Sequence, residues 1–365
     1  MWEGDEVAWG RRTAAGAALV AVFTLAVAPG VAVAGPSPAP APARGTSVCQ
    51  VRDGRLTEIS GMVATDAGFV VVNDSADEEP RRRIFFLDGA CVVVRTVPYP
   101  SRPRDTEDLA LGADGTIWVA DIGDNDRSRQ TIAVWKLAPG GGRPALHRLA
   151  YPDGPHDAEA LLLAGDGRPV IVTKQGGAAG LYAPATALRP GETVPLAKVG
   201  QVRLPDTTTS NPFSFLGRAV VTGGATAPDG RRVVLRTYAD AFEFDVTGGD
   251  VVAALTTGRP RITPLPDEPQ GESITYSRDG RSLLTVSETA DQPPGTRPTI
   301  LRYTLTAAAP ATTRTATPAP TAARATDDRA DLGDITSVIV VAGVVGLGLV
   351  AVGLVGVTRT RRAGR

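Results

Sequence analysis

Residues 107–121 read Glu-Asp-Leu-Ala-Leu-Gly-Ala-Asp-Gly-Thr-Ile-Trp-Val-Ala-Asp. An acidic residue opens an apolar run, Asp114-Gly115 interrupts it, and a second β-rich run ends on another acid. Asp-Gly between two such runs signals a hairpin, because glycine adopts positive φ without steric cost and aspartate tolerates it. The same phrase returns further along. Glu159-Ala-Leu-Leu-Leu leads to Asp166-Gly167 and Val170-Ile-Val-Thr-Lys174, and Glu272-Ser-Ile-Thr-Tyr leads to Asp279-Gly280 and Leu283-Leu-Thr-Val-Ser-Glu288. In all three the glutamate stands seven residues before the aspartate. A fourth copy has Thr222 in place of glutamate and runs through Asp229-Gly230 to Val233-Val-Leu-Arg236. A divergent fifth runs from Glu58 through Asp66-Ala-Gly68 into Phe69-Val-Val-Val.

A unit repeated at about 50 residues is the period of propeller blades. Each copy supplies two strands, and β-rich runs such as 131–136 and 241–246 follow most hairpins, which predicts four-stranded blades. The expectation is an all-β chain: a β-propeller of five blades, or six if the long stretch 184–218 holds another. The last copy lacks a fourth strand after 301–305, and residues 47–52 are expected to supply it and close the ring. A β-sandwich is the rival architecture, but it does not explain the fixed offset.

Ala227-Pro-Asp-Gly followed by Arg231-Arg-Val-Val-Leu, and Ser277-Arg-Asp-Gly-Arg-Ser-Leu-Leu, resemble the WD40-like Pro-Asp repeats of bacterial surface and periplasmic propellers. Ala113-Asp-Gly-Thr-Ile-Trp-Val-Ala-Asp resembles the repeat of NHL and gluconolactonase-like propellers. From about Glu58 to Glu288 the chain is similar to uncharacterised exported bacterial propellers, and more distantly to phytase-type esterase-like propellers. The resemblance implies the fold and leaves the activity open.

The two ends describe a different kind of sequence. Arg11-Arg12 precede an uncharged stretch, 13–34, ending in Ala32-Val33-Ala34, the small-x-small form of a secretory cleavage site. Residues 335–357 carry no charge and are long enough as a helix to span a bilayer. Arg359, Arg361, Arg362 and Arg365 follow, so the positive-inside rule places the C-terminus in the cytoplasm. The expected organisation is a signal peptide (1–34), a Pro/Ala-rich linker (35–44), the propeller (45–305), a Pro/Ala/Thr-rich stalk (306–334), a transmembrane helix (335–357) and a basic tail (358–365). The folded part would lie outside the cell, anchored by a single span. There an even pair of cysteines, Cys49 and Cys91, is expected to form a disulfide. The net charge of −1 over 365 residues, with its basic run confined to the tail, lacks the footprint of a nucleic-acid binder.

In a propeller the starts of first strands and the ends of second strands meet at one mouth of the channel. The starts supply Glu58, Glu107, Glu159, Thr222 and Glu272; the ends supply Asp74, Asp121, Lys174, Arg236 and Glu288. Oxygen ligands gathered in this way suit Ca²⁺. The acidic loop Asp121, Asp124, Asp126 adds a local candidate, although its spacing is not that of an EF-hand. Lys174 and Arg236 are candidate anion-binding groups. The competing account is structural: the carboxylates cap backbone N–H groups and pair with Lys174 and Arg236, and the acidic loop is a turn held by its own side chains. Tyr238 and Trp118 read as blade core or edge. Two functions follow, a surface binding or scaffolding module for an unknown surface protein or small anionic ligand, and a calcium-dependent hydrolase acting on phosphoesters, lactones or other esters.

Overall fold

The computed structural model describes residues 44–305 with the exception of Ser75. The expected signal segment, the linker up to residue 43, the stalk, the spanning segment and the tail lie outside the described residues. Among the described residues no helix is long and apolar enough to cross a membrane.

The strands fall into five antiparallel four-stranded units. β1 (Thr46–Gln50) stands apart in sequence from its unit. The first unit is β2 (Ile59–Thr65), β3 (Gly68–Asn73), β4 (Arg83–Asp88) and β5 (Val93–Pro98). The second is β6 (Thr106–Leu111), β7 (Ile117–Asp121), β8 (Ile132–Leu137) and β9 (Ala145–Ala150). The third is β10 (Ala158–Leu163), β11 (Pro169–Thr173), β12 (Ala179–Pro184) and β13 (Thr193–Val202). After a long loop and the single-turn α1 (Leu216–Ala219) comes the fourth, β14 (Gly223–Thr226), β15 (Arg232–Arg236), β16 (Asp240–Asp245) and, beyond α2 (Val251–Thr257), β17 (Arg261–Pro264). The fifth is β18 (Gln270–Tyr276), β19 (Ser282–Glu288) and β20 (Thr299–Thr304), completed by β1. The stretch 184–218 contributes β13, a loop and most of α1, and holds no further unit. A short parallel pairing of β13 with β9, Thr193–Pro195 against Arg148–Ala150, joins the outer edges of the second and third units into one eight-stranded sheet.

The repeated Asp-Gly turns explain the register. In each of four copies the aspartate carboxylate accepts the backbone N–H two residues on: Asp114 from Thr116, Asp166 from Arg168, Asp229 from Arg231 and Asp279 from Arg281, at 3.0 to 3.1 Å. The glycine between adopts the left-handed conformation, with φ of 66° to 80°. The side chain thus makes the turn from its own backbone, and strand pairing follows from it.

The first strands β2, β6, β10, β14 and β18 are neighbours in succession, and β18 returns to β2. Five apolar clusters lie one at each junction between successive units, for instance Val63, Ile84, Leu109, Val119 and Trp135 between the first and second. Each fully buried aliphatic side chain in them contributes roughly 1.5–3 kcal/mol relative to exposure. The architecture is propeller-like, and its seam closes as the sequence suggests: β1 pairs with β20, Thr46 opposite Arg302. A Cys49–Cys91 disulfide ties that strand to the first unit.

Candidate functional site

Four of the five first strands carry a one-residue register shift against their second strand, at Ser60, Glu107, Glu159 and Glu272. Such a bulge re-aims the side chain it inserts. In the fourth unit Thr222 takes the corresponding place, its N–H donating to Arg236 O just before β14 begins. The two hydroxyls serve the ring itself: Ser60 Oγ donates to Thr106 O at 2.6 Å and Thr222 Oγ1 to Gly271 O at 2.9 Å, each reaching the next unit beside its bulge. The three glutamates converge instead. Carboxylate oxygens of Glu107, Glu159 and Glu272 lie within 4.8 Å of one another, with the side chains 3%, 2% and 4% exposed.

Below them Asp108, fully buried, accepts the N–H of Leu161 at 2.8 Å and that of Gly224. One carboxylate of the second unit thereby binds strands of the third and fourth across the ring axis. Beside them a second group forms from Asp74, Asp105 and Glu107. The backbone approaches closely here: a Cβ at Gly123 would overlap both Glu107 Oε1 and Asp105 Oδ2 and force those carboxylates to move.

Desolvation and then mutual repulsion push Glu107 well above the usual carboxylate range, the largest repulsion coming from Glu159. Glu159 is also raised, because burial outweighs its ion pair with Lys174, Nζ to Oε1 at 2.7 Å. Burial pulls the Lys174 ammonium down, and Glu159 together with Tyr238 and Glu272 more than reverses this, so Lys174 is a firm cation. Burial likewise lifts Glu272, lifts Glu288 to about 11 and lifts Asp105 to about 8, with Glu272 and Asp74 as the respective charged neighbours. Gln270 Nε2 donates to Glu288 Oε2 at 2.6 Å and to Glu272 Oε1 at 3.1 Å, while Glu288 Oε1 is buried and unpartnered among the described residues. The Glu107 carboxylate faces other carboxylates.

The other sequence candidates lie elsewhere. Glu58 is not at a bulge; two residues before Ser60, it pairs with Arg81. Arg236 does not face the mouth: it is fully buried, its guanidinium donating to Glu268 Oε2 at 3.0 Å and to the carbonyls of Ser273 and Thr237. Asp121 turns into a buried pair with Arg129, at 2.9 Å, and also accepts the N–H groups of Arg104 and Asp105. Asp124 accepts Ser128 N and Arg129 N at 2.9 Å, the self-capped turn that the structural account expects. Asp126 is exposed.

Three participants were not read from sequence as site residues. Asp105 lies just before β6, two residues ahead of the bulge at Glu107. Arg129 neutralises Asp121 from within the acidic loop. Tyr238, read as core or edge, donates its hydroxyl to Glu272 Oε1 at 3.2 Å, and its ring lies 5.8 Å from Lys174 Nζ.

No protein-family model matches the chain, and no curated protein matches it. Among solved structures, the PQQ-bound aldose sugar dehydrogenase of Streptomyces coelicolor is 13% identical, with 70% of this chain and 96% of that chain covered at a TM-score of 0.37. A gluconolactonase of Xanthomonas campestris is 14% identical, covering 67% and 72% at 0.38, and virginiamycin B lyase of Staphylococcus aureus is 11% identical, covering 70% and 72% at 0.33. Similarity at this level assigns no activity, and the resemblance to WD40-like and NHL repeats rests on the residues quoted above.

Proposed function

We propose that the chain is an exported, membrane-anchored five-bladed propeller whose mouth binds a divalent cation, calcium by its donor set, and that the loaded centre hydrolyses an ester or phosphoester. The observation that carries this reading is the convergence of the buried Glu107, Glu159 and Glu272 beside the partly buried Lys174, which ion-pairs Glu159. Three desolvated carboxylates and one ammonium form an unbalanced set, which must be either protonated or completed by a cation. Oxygens within 4.8 Å of one another fit a shell of calcium radius, and an all-oxygen donor set favours calcium over softer metals. Glu288 Oε1, buried beside Glu272 and unpartnered among the described residues, supports a cation more than a structural lattice, whose carboxylates would be bonded.

Glu107, Glu159 and Glu272 would hold the ion, which when bound supplies Lewis-acid polarisation of a phosphoryl or acyl oxygen. Asp105, partly buried in the neighbouring group that shares Glu107, would take a proton from water as the water oxygen adds to carbon or phosphorus, and return it to the alkoxide as the bond to it breaks. Lys174 offers donors to an anionic head group. The Cys49–Cys91 bond supports an oxidising compartment, in keeping with export.

Calorimetric titration of Ca²⁺ into the purified full chain tests the reading. Stoichiometric uptake that disappears when Glu107 and Glu159 are both changed to Gln is the expected result. No uptake by the unaltered chain would overturn it and return the molecule to the binding-module reading.

A further inference from the structure

Between β13 and β14 the loop 203–215 is pinned to the fourth and fifth units. Thr207 Oγ1 and Thr209 Oγ1 donate to Asp240 at 2.5 and 2.6 Å, and Ser210 Oγ donates to Asp267 at 2.5 Å. Asn211 builds its tip, accepting Phe213 N at 2.9 Å through Oδ1 and donating to Ser214 O at 3.0 Å through Nδ2. Ser214 is held at φ 56°, a left-handed conformation that non-glycine residues adopt only when their surroundings impose it. The product of this construction is an exposed apolar knuckle: Phe215 is 67% exposed, Leu216 58% and Phe213 39%.

Phe213 links the knuckle to the carboxylate site. The Phe213 ring lies 4.3 Å from that of Tyr238, centroid to centroid, and Tyr238 in turn touches Glu272 and faces Lys174. We infer that this loop is the specificity lip of the site. It takes the aryl or alkyl arm of a small substrate whose oxygen-bearing head sits on the cation and Lys174. The inference rests on the cation-centre reading and adds the class of substrate to it. A small molecule is the occupant because the carboxylates are at most 4% exposed, which a folded partner could not reach. An apolar arm is required because oxygen chemistry at the floor and exposed aromatics at the rim are joined through one tyrosine. A protein partner would need neither the juxtaposition with Glu272 nor that with Lys174.

The test uses the calcium-loaded full chain and two pairs of inert anions, phenylphosphonate with methylphosphonate and phenylacetate with acetate, titrated by calorimetry. The aryl member of at least one pair is expected to bind about tenfold more tightly or better, the order for moving one phenyl ring onto an apolar face. That preference is expected to vanish in Phe215→Ala/Leu216→Ala and to be largely restored by Phe215→Leu, with the calcium isotherm unchanged throughout. Phe213 is left in place because it packs against Tyr238. Calcium uptake with no aryl preference in either pair, with no anion bound, or with a preference that survives the double substitution would overturn the lip while leaving the cation centre standing. A chain that takes up no calcium would overturn both.

Discussion

Asp121 and Glu107 lie on adjacent strands of the same unit, both are carboxylates and both are buried, yet their surroundings differ. Every approach to Asp121 is occupied by a donor: the N–H groups of Arg104 and Asp105, the Arg129 guanidinium and the Trp135 indole N–H. Glu107 instead faces Glu159, Asp105 and Glu272. The first carboxylate is spent on holding a loop. The second is crowded by other carboxylates that disfavour its ionised form, and such a set is completed by protons or by a cation rather than by a scaffold's donors.

The sharpest way to break that contrast is to remove the partner of Asp121. Arg129→Met strands a buried carboxylate and should cost about 3–5 kcal/mol in urea denaturation. A loss below about 1 kcal/mol would mean that Asp121 is as free as Glu107. Next in size, calcium at about a hundredfold excess over its dissociation constant should stabilise the unaltered chain by about 2.7 kcal/mol, and should leave Glu107→Gln unmoved.

The pH response separates the two regions as well. Because burial and Asp74 raise Asp105 to about 8 from 3.8, the folded state holds a proton that the unfolded chain has released between those values. This contribution is therefore complete below about pH 4 and is lost as pH rises towards 8. The metal-free chain should lose at least about 1 kcal/mol of stability between about pH 5 and about pH 8, one pKa unit's worth. Calcium held beside Asp105 favours the ionised carboxylate and should flatten or reverse that slope. Urea midpoints at both pH values, with calcium and with EDTA, give the answer. The smallest effect belongs to Asp126→Asn: the residue is exposed, so stability should change by less than about 0.5 kcal/mol and calcium affinity not at all.

The repeat was legible because its signals are local. An Asp-Gly turn is made by one side chain and two backbone groups, so its copies could be aligned without knowledge of the rest, and the closing strand and cysteine pair followed from counting. The glutamates at 107, 159 and 272 were found by the same alignment. Its failure at Glu58 has a geometric cause. The first unit turns tightly between Thr65 and Gly68, so counting seven back from Asp66 lands on Ile59, one residue before the bulge at Ser60, and the nearest acid, Glu58, lies one residue further out. Arg236 was misplaced because its position within the repeat does not say which way a long side chain runs, and Glu268, its partner, lies in a loop outside the repeat. Asp121, Asp124 and Asp126 show the limit of composition. Acid density alone does not distinguish oxygens already bonded by Arg129 and nearby N–H groups from oxygens still open to a cation.

The seam of the ring also has a mechanical side. With Thr46 opposite Arg302, the chain enters and leaves the ring at the same end of the β1–β20 ladder. Tension applied between those two points would part the ladder rung by rung, the direction in which a sheet yields most readily. Peeling halts at Cys49, whose bond to Cys91 passes the load to the first unit. Resistance to pulling is therefore set by a covalent stop within the first turn of peeling, and under a reductant the same force would open the ring from its seam.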